Sequence, residues 1–543
     1  MGNSPLTVSI HTLDNDSLLH IFYLYRPFLL GEDGDQDYRL FGGEAGWERG
    51  RWWYELAHVC QRWRNVILGS ASYLGVSLVC TKGTPVADML SHSPPLPLIV
   101  DYQLDDVSEE DEEGVILALK QYNRVRRVRL QMNITSQQKF IMAMDDEYPI
   151  LEYLIIGQPS EDKGLALVFP ETLQAPLLHH LNLAGFALPV GSRLLTNAVG
   201  LVTLCIGIIH PSTFLHPNTL LQWLSFMPQL ESLVIAFFYP VPNCDIERQL
   251  IHPPIMTAIT LPNLHYFAFF GVRTYLEGLI HRIATPRLEK LDIQFFNQLT
   301  FSVPRLVQFV SAAENLILKS AKFKFSDKEV EVEVYPHEEA EMRAFSITVE
   351  CFHLDWQVSS VAQIFNSLCL AFSEVEHLTL EHEVHRRSSE GHNEADPTEW
   401  RKLLSSFRNV KTLRIAEGLV EELSCCLQLD DGELPLELLP ELQELTYSGS
   451  GNTGNVFTSF INARQDAGRP LTLVRRDPSP DRGSSVSSLE SPSITPAGSE
   501  AGGDLDTDPQ AVYPSPSLAP SPTSSHLLRR GVLAEDLAIP NIP

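Results

Sequence analysis

Four histidines, His377, His382, His385 and His392, crowd one stretch of this sequence together with Glu381 and Glu383. Imidazole and carboxylate groups are the ligands that hold Zn²⁺, so metal chemistry would have to be sought here. The stretch EHEVHRRSSEGHNEADP is polar throughout and reads as a solvated loop, not as a helix presenting two histidines one turn apart. Asp105, Asp106, Glu109, Glu110, Asp111, Glu112 and Glu113 form an acidic run ahead of Val115–Tyr122. Negative charge stabilises a helix N-terminus, so this run is expected to supply a first helical turn. Arg124, Arg126, Arg127 and Arg129 interleave with Val125, Val128 and Leu130, which predicts a strand with its arginines on the exposed face. No Gly-rich phosphate loop, nucleophile elbow or HExxH motif occurs. The expectation is a non-catalytic chain with no cofactor and no metal.

Composition narrows the partners. There are 68 acidic against 40 basic residues, a formal charge of −28, whereas binding duplex nucleic acid requires a surplus of Lys and Arg. Anionic membranes are disfavoured for the same reason, and the longest apolar stretches, such as Leu201–Ile209, fall short of a bilayer span. The eight cysteines include no CxxC pair and read as reduced core thiols. The start MGNSPLTVSI has no signal-peptide pattern, and Leu6 breaks the myristoylation motif. A cytoplasmic and/or nuclear protein that contacts neither nucleic acid nor membrane is expected.

The elements that must position any site come from a repeat. A phrase of the type Leu-x-x-Leu-x-Leu, often led by Pro, recurs as Leu151, Leu154 and Ile156, then as Leu178, Leu181 and Leu183. It returns at Leu201–Ile206, Leu230–Ile235, Leu264–Phe269, Leu288–Ile293, Val375–Leu380, Val410–Ile415 and Leu442–Leu445, with an early copy at Val125–Leu130. Two degraded copies are expected near Leu316–Leu318 and Phe345–Val349. The spacing of about 29 residues lies in the leucine-rich-repeat range. Segments with helical spacing fall between the phrases: Leu220–Phe226, Leu276–Ala284, Val303–Ala312, Val358–Phe372 and Trp400–Phe407. The fold class is therefore α/β, an irregular leucine-rich-repeat-like solenoid whose units stack into one core. It is irregular because the turn position that favours Asn or Cys holds Phe186, Ile209, Phe238, Val272 and Phe296, with only Asn133 conforming. Those turns must be held by apolar packing.

Ahead of the repeats, Leu13 precedes a short helix that Asp14 or Asp16 can cap and that Leu18, Leu19, Ile21 and Phe22 load. Further on, Leu56, Val59, Cys60 and Trp63 fall at i, i+3, i+4 and i+7, a single helical stripe. Arg26 to about Arg51 is a polar insertion between the two, expected to be a surface loop.

These two segments together resemble an F-box, whose pattern runs L-P-x-E/D, two aliphatic residues, I-F, and then L-x-x-V-C-[KR]-x-W. Val59-Cys60-Gln61-Arg62-Trp63 matches the second half, and Asp14 stands where the family has Pro. Phrases such as RWWYELAHVCQRWRN, GTPVADMLSHSPPLP and LLQWLSFMPQLESLVI make the chain to about residue 475 similar to a group of fungal F-box proteins. The resemblance implies a substrate-recognition subunit that docks on a Skp-type adaptor, and through it on a cullin, through Leu13, Leu18, Leu19, Ile21, Phe22, Leu56, Val59, Cys60 and Trp63. A ligase-independent repeat scaffold is the alternative. The expected organisation is a small all-α F-box at 1–80, the repeat body at 81–475 and a disordered Ser/Pro-rich tail at 476–543. Strand side chains alternate, so Tyr153, His180, Thr203, Tyr266, Lys290, His377, Thr412 and Glu444 are predicted to face outward and to contact a target.

Overall fold

The alternation within each phrase is realised as a short parallel strand, preceded by a turn that buries the first apolar residue. The computed structural model describes residues 12–26, 51–104, 108–132, 134–157, 167–208, 214–238, 258–296, 301–382, 395–428, 438–448 and 456–476. Most of the expected loop at 26–51 and all of the expected tail beyond Arg476 lie outside these residues. Met1–Pro480 form one compact unit, and the second unit, Asp481–Pro543, lies wholly outside the described residues.

Strands β1 (Leu78–Cys80), β2 (Leu98–Leu104), β3 (Val125–Met132), β4 (Tyr153–Gly157) and β5 (His180–Ala184) neighbour one another in chain order. So do β6 (Thr203–Ile208), β7 (Ser232–Phe237), β8 (Tyr266–Gly271) and β9 (Lys290–Phe295). They are followed in the chain by β10 (Ser320–Phe325), β11 (Glu329–Tyr335), β12 (Phe345–Glu350) and β13 (His377–His382). β14 (Thr412–Ile415), β15 (Glu444–Ser448) and β16 (Thr472–Arg476) complete one sheet of sixteen strands. One row of partners runs Val128, Leu154, Leu181, Leu204, Leu233, Phe267, Leu291, Phe345. Every member of it is at most 1% exposed. Each such side chain stabilises the fold by about 1.5–3 kcal/mol through burial alone.

The N-terminal segment folds as α1 (Asn15–Tyr25), α2 (Trp52–Val59), α3 (Gln61–Gly69) and α4 (Ala71–Leu74). Along the sheet the connections carry α5 (Val86–His92), α6 (Glu109–Leu119), α7 (Ile134–Ala143), α8 (Arg193–Thr196) and α9 (Pro217–Leu224). They continue as α10 (Arg273–Ile280), α11 (Pro304–Ala312), α12 (Leu354–Leu368), α13 (Pro397–Ser405), α14 (Val420–Cys426) and α15 (Thr458–Asp466). Five of these, α9 to α13, match the helical segments expected from apolar spacing, shifted by a few residues at their ends. Their buried faces join the phrase leucines, and Leu18, Phe22 and Trp53 from the N-terminal helices, in one core.

The region between Leu288 and Val375 departs from expectation. The copy expected near Leu316–Leu318 sits two residues later, with Leu318, Ala321 and Phe323 buried. From there the chain turns back: β11 is antiparallel to both β10 and β12, and β12 rather than β10 lies beside β9. The reversal is made by the turn at Ser326–Glu329, where Ser326 N donates to Glu329 O at 3.0 Å, and the Glu-Val alternation of EVEVEVY then gives the returning strand one apolar face. Val330, Val332 and Val334 are fully buried, while the glutamates take the opposite face.

The turn residues behave in two ways. Phe186 and Phe296 are buried, as expected of turns held by packing, whereas Phe238 is 44% exposed; Ile209 and Asn133 lie outside the described residues. All seven described cysteines are free thiols. Burial pushes those of Cys80, Cys205 and Cys351 up to about 12. None of the described helices is long and apolar enough to cross a membrane.

Candidate interaction surfaces

The N-terminal helices begin as their sequence dictates. Asp14 caps α1, its Oδ1 accepting from Ser17 N at 2.6 Å. The hydrogen bond from Ser17 holds the carboxyl below its ordinary range. Leu18 and Phe22, one turn apart, are buried, and Phe22 meets Trp63 edge-to-face at 5.0 Å. Arg62 ties α3 to the start of α1 through Leu13 O at 2.5 Å and Asn15 Oδ1 at 3.0 Å.

The second half of the motif is not one helix. Cys60 is extended (φ −162°, ψ 166°), ending α2 and capping α3 with its Sγ 3.5 Å from Trp63 N. The expected single stripe of Leu56, Val59, Cys60 and Trp63 is therefore split. Val59 is 59% exposed at the end of α2, while Trp63 turns back onto Phe22. The physical reason is local: a Cys at the N-cap satisfies an orphan N–H that a continuous helix would not present. Of the nine residues assigned to an adaptor contact, Leu18 and Phe22 are buried. Leu13, Leu19, Leu56, Cys60 and Trp63 are half-buried, and Ile21 and Val59 are exposed. Leu24 and Tyr25, 70% and 54% exposed, extend Ile21 into an apolar stripe on α1 that the motif alone did not single out. Their spacing of three and four from Ile21 was the available signal.

On the sheet, the face opposite the helices holds the predicted contact residues. Tyr153, His180, Thr203, Tyr266 and Lys290 fall in one register row, with Ser232 between Thr203 and Tyr266. Tyr153 stacks on His180 at 4.0 Å, with Arg127 4.7 Å above its ring. Tyr266 and Lys290 are not open positions. They are 2% and 9% exposed, with Lys290 Nζ 4.9 Å from the Tyr266 ring and 3.6 Å from Asp292. Here the outward face carries its own apolar cluster of Cys205, Val234, Tyr266 and Ala268. Alternation fixes which face a side chain takes, but not whether that face is open. Arg129 likewise takes the expected face but is 1% exposed.

His377, Thr412 and Glu444 continue a second row across β13, β14 and β15 and remain half-buried. His377 Nδ1 lies 2.7 Å from Thr412 Oγ1 and 3.6 Å from Glu338, whose other oxygen meets Arg414 at 2.5 Å. Between the two rows, Arg343 links Asp292, Glu331 and Glu333, and Lys324 reaches Glu333 at 2.6 Å. Burial raises the Glu333 carboxyl, but hydrogen bonds from Lys324 and Tyr335 and the nearby cations outweigh it and leave the group below its ordinary range.

The remaining candidates resolve simply. His377 and His382 stand at opposite ends of β13, about 16 Å apart at strand rise, and His385, His392 and Glu383 lie outside the described residues. Among the described residues no three His, Cys, Asp or Glu side chains gather as a metal site would require. Glu109 to Glu112 form the first turn of α6, as expected, capped by Ser108. Asp111 in that turn is 6% exposed and accepts from Gly83 N at 2.8 Å, a structural role. Asp105 and Asp106 lie outside the described residues.

No family model matches this sequence, and no curated protein matches it. Among solved structures, the leucine-rich repeat-containing protein LegL7 from Legionella pneumophila aligns at 10% identity. The alignment covers 74% of this chain and 91% of that one, with a TM-score of 0.23.

Proposed function

We propose that this chain is a non-catalytic substrate-recognition subunit of an SCF-type cullin-RING ubiquitin ligase in the cytoplasm and/or nucleus. The N-terminal helices dock on a Skp-type adaptor and the repeat body holds a protein target. The reading rests on the resemblance of the N-terminal motif to an F-box. One observation carries it further: Leu18 and Phe22 are spent on the core, while Ile21, Leu24 and Tyr25 leave bulky apolar surface exposed on the same helix, and Val59 does so at the end of α2. Large exposed apolar groups gathered on short helices mark an interaction surface rather than a core. The test is co-purification of the full chain with a purified Skp-type adaptor. Wild type is expected to bind, and Leu24→Asp with Val59→Asp to abolish binding without lowering the melting temperature. A wild-type chain that does not bind would sink the ligase reading.

The alternative, a ligase-independent repeat scaffold, is favoured by a different contact. Trp53 Nε1 donates to Ser77 O at 3.1 Å, tying α2 to the chain entering β1. Repeat arrays need such an end cap, and capping alone would account for the helices.

A further inference from the structure

The two ends of the sheet are finished differently. All three residues of β1 are at most 2% exposed. At the other end β16 pairs only with β15 among the described residues, and four of its five residues are exposed. Leu473 occupies the register row of Leu378, Leu413 and Leu445, each at most 1% exposed, yet it is itself 37% exposed. Among the described residues the core row therefore runs out to an open edge.

Backbone geometry makes that edge a template. Thr472 N donates to Gln443 O at 2.8 Å, so in a parallel pair Thr472 and Val474 bond β15, and the N–H and C=O of Leu473 point away from the sheet. From Gly468 to Arg476 the chain reads GRPLTLVRR, three arginines and no acid, flanked by Asp466 and Asp477 in a molecule of net charge −28. Arg469 pairs with Glu441 at 3.3 Å, and Arg475 and Arg476 are exposed on the strand itself. Charges on an edge strand discourage pairing with a like-charged edge, which sets a second copy of this strand against itself. An acidic strand meets no such barrier.

We infer that β16 is a docking edge for an extended acidic segment of a partner protein, which adds to the sheet as one more strand. Main-chain bonds to Leu473 supply affinity, and Arg475 and Arg476 select acidic side chains. This edge is remote in sequence from the N-terminal helices and holds whether or not they bind an adaptor.

The test titrates a labelled peptide of alternating valine and glutamate into the full chain, following fluorescence anisotropy. Leu473→Pro removes the outward N–H while leaving the Thr472–Gln443 bond, and Arg475→Glu with Arg476→Glu reverses the charge. Each is expected to weaken binding about tenfold or more. Because a variant can also lose binding by misfolding, amide exchange at Leu473 in the wild type is followed in parallel and is expected to slow when peptide is added. Unchanged affinity in Leu473→Pro would overturn the inference, as would unchanged exchange at Leu473. So would protection that depends on protein concentration alone, because the occupant would then be a second copy.

Discussion

Glu329 stands directly opposite Glu350 across the antiparallel pair β11–β12, while Glu333, on the same face of the same strand, receives Lys324 Nζ at 2.6 Å. Burial, with Glu331 and Glu350 nearby, holds the Glu329 carboxyl above its ordinary range. Like charges directly opposed in a sheet are destabilising.

The two glutamates therefore predict opposite pH behaviour. A raised folded pKa contributes stability at low pH that is lost as pH rises through it, so ionised Glu329 opposes folding near neutrality. Glu329→Gln should raise urea-unfolding stability at about pH 7, with the gain vanishing at about pH 3. Glu333 is depressed, so its contribution is present at neutrality and lost as pH falls through the folded value. Glu333→Gln should lower stability at about pH 7, with the loss shrinking as pH falls below the ordinary glutamate range and through the lowered folded value. The same sign for both variants at neutral pH would show that the network does not couple to folding as drawn.

The repeat register predicts a contrast between adjacent positions. Leu154→Ala, Leu233→Ala and Leu291→Ala should each cost about 2–5 kcal/mol, because each opens a cavity in a fully buried row. Ser232→Ala, one residue from Leu233 on the half-buried outer face, should stay within about 0.5 kcal/mol. Chemical denaturation measures both, and equal costs at 232 and 233 would contradict the strand assignment.

Much of this was legible in sequence because the signal was periodic. Leucines spaced three and then two apart gave the strands, and Trp400–Phe407 gave α13 within a few residues. What escaped were features without such a period. Cys60 reads as a helical position by spacing and becomes an N-cap only in three dimensions. Alternation puts Tyr266 and Lys290 on the face they take, yet their neighbours Val234 and Ala268 make that face apolar, which one strand's alternation does not reveal. The alternation of EVEVEVY marks β11 as a strand with one buried face, but neither its direction nor the strands that flank it.

Gln357 predicts the cost of losing one polar link. It is 1% exposed on α12, and its Nε2 donates to Ser326 O at 2.7 Å and Cys351 O at 2.8 Å, joining the β10–β11 turn to the end of β12. Gln357→Leu would leave two carbonyls without that donor and should destabilise by about 1–3 kcal/mol. A neutral melting temperature would mean that water replaces the amide.

Cys60 predicts a gain. Serine is a stronger N-cap than a thiol, so Cys60→Ser should hold or raise the melting temperature, whereas Cys60→Ala, which removes the cap, should lower it. A continuous helix through this position would reverse that order, because alanine favours helix interiors.

Docking of the N-terminal helices on a Skp-type adaptor is checked by hydrogen–deuterium exchange of the full chain with and without the purified adaptor. Exchange is expected to slow only in Asn15–Arg26 and Trp52–Val66, with the sheet strands unchanged. No complex, or protection only within the sheet, would contradict it.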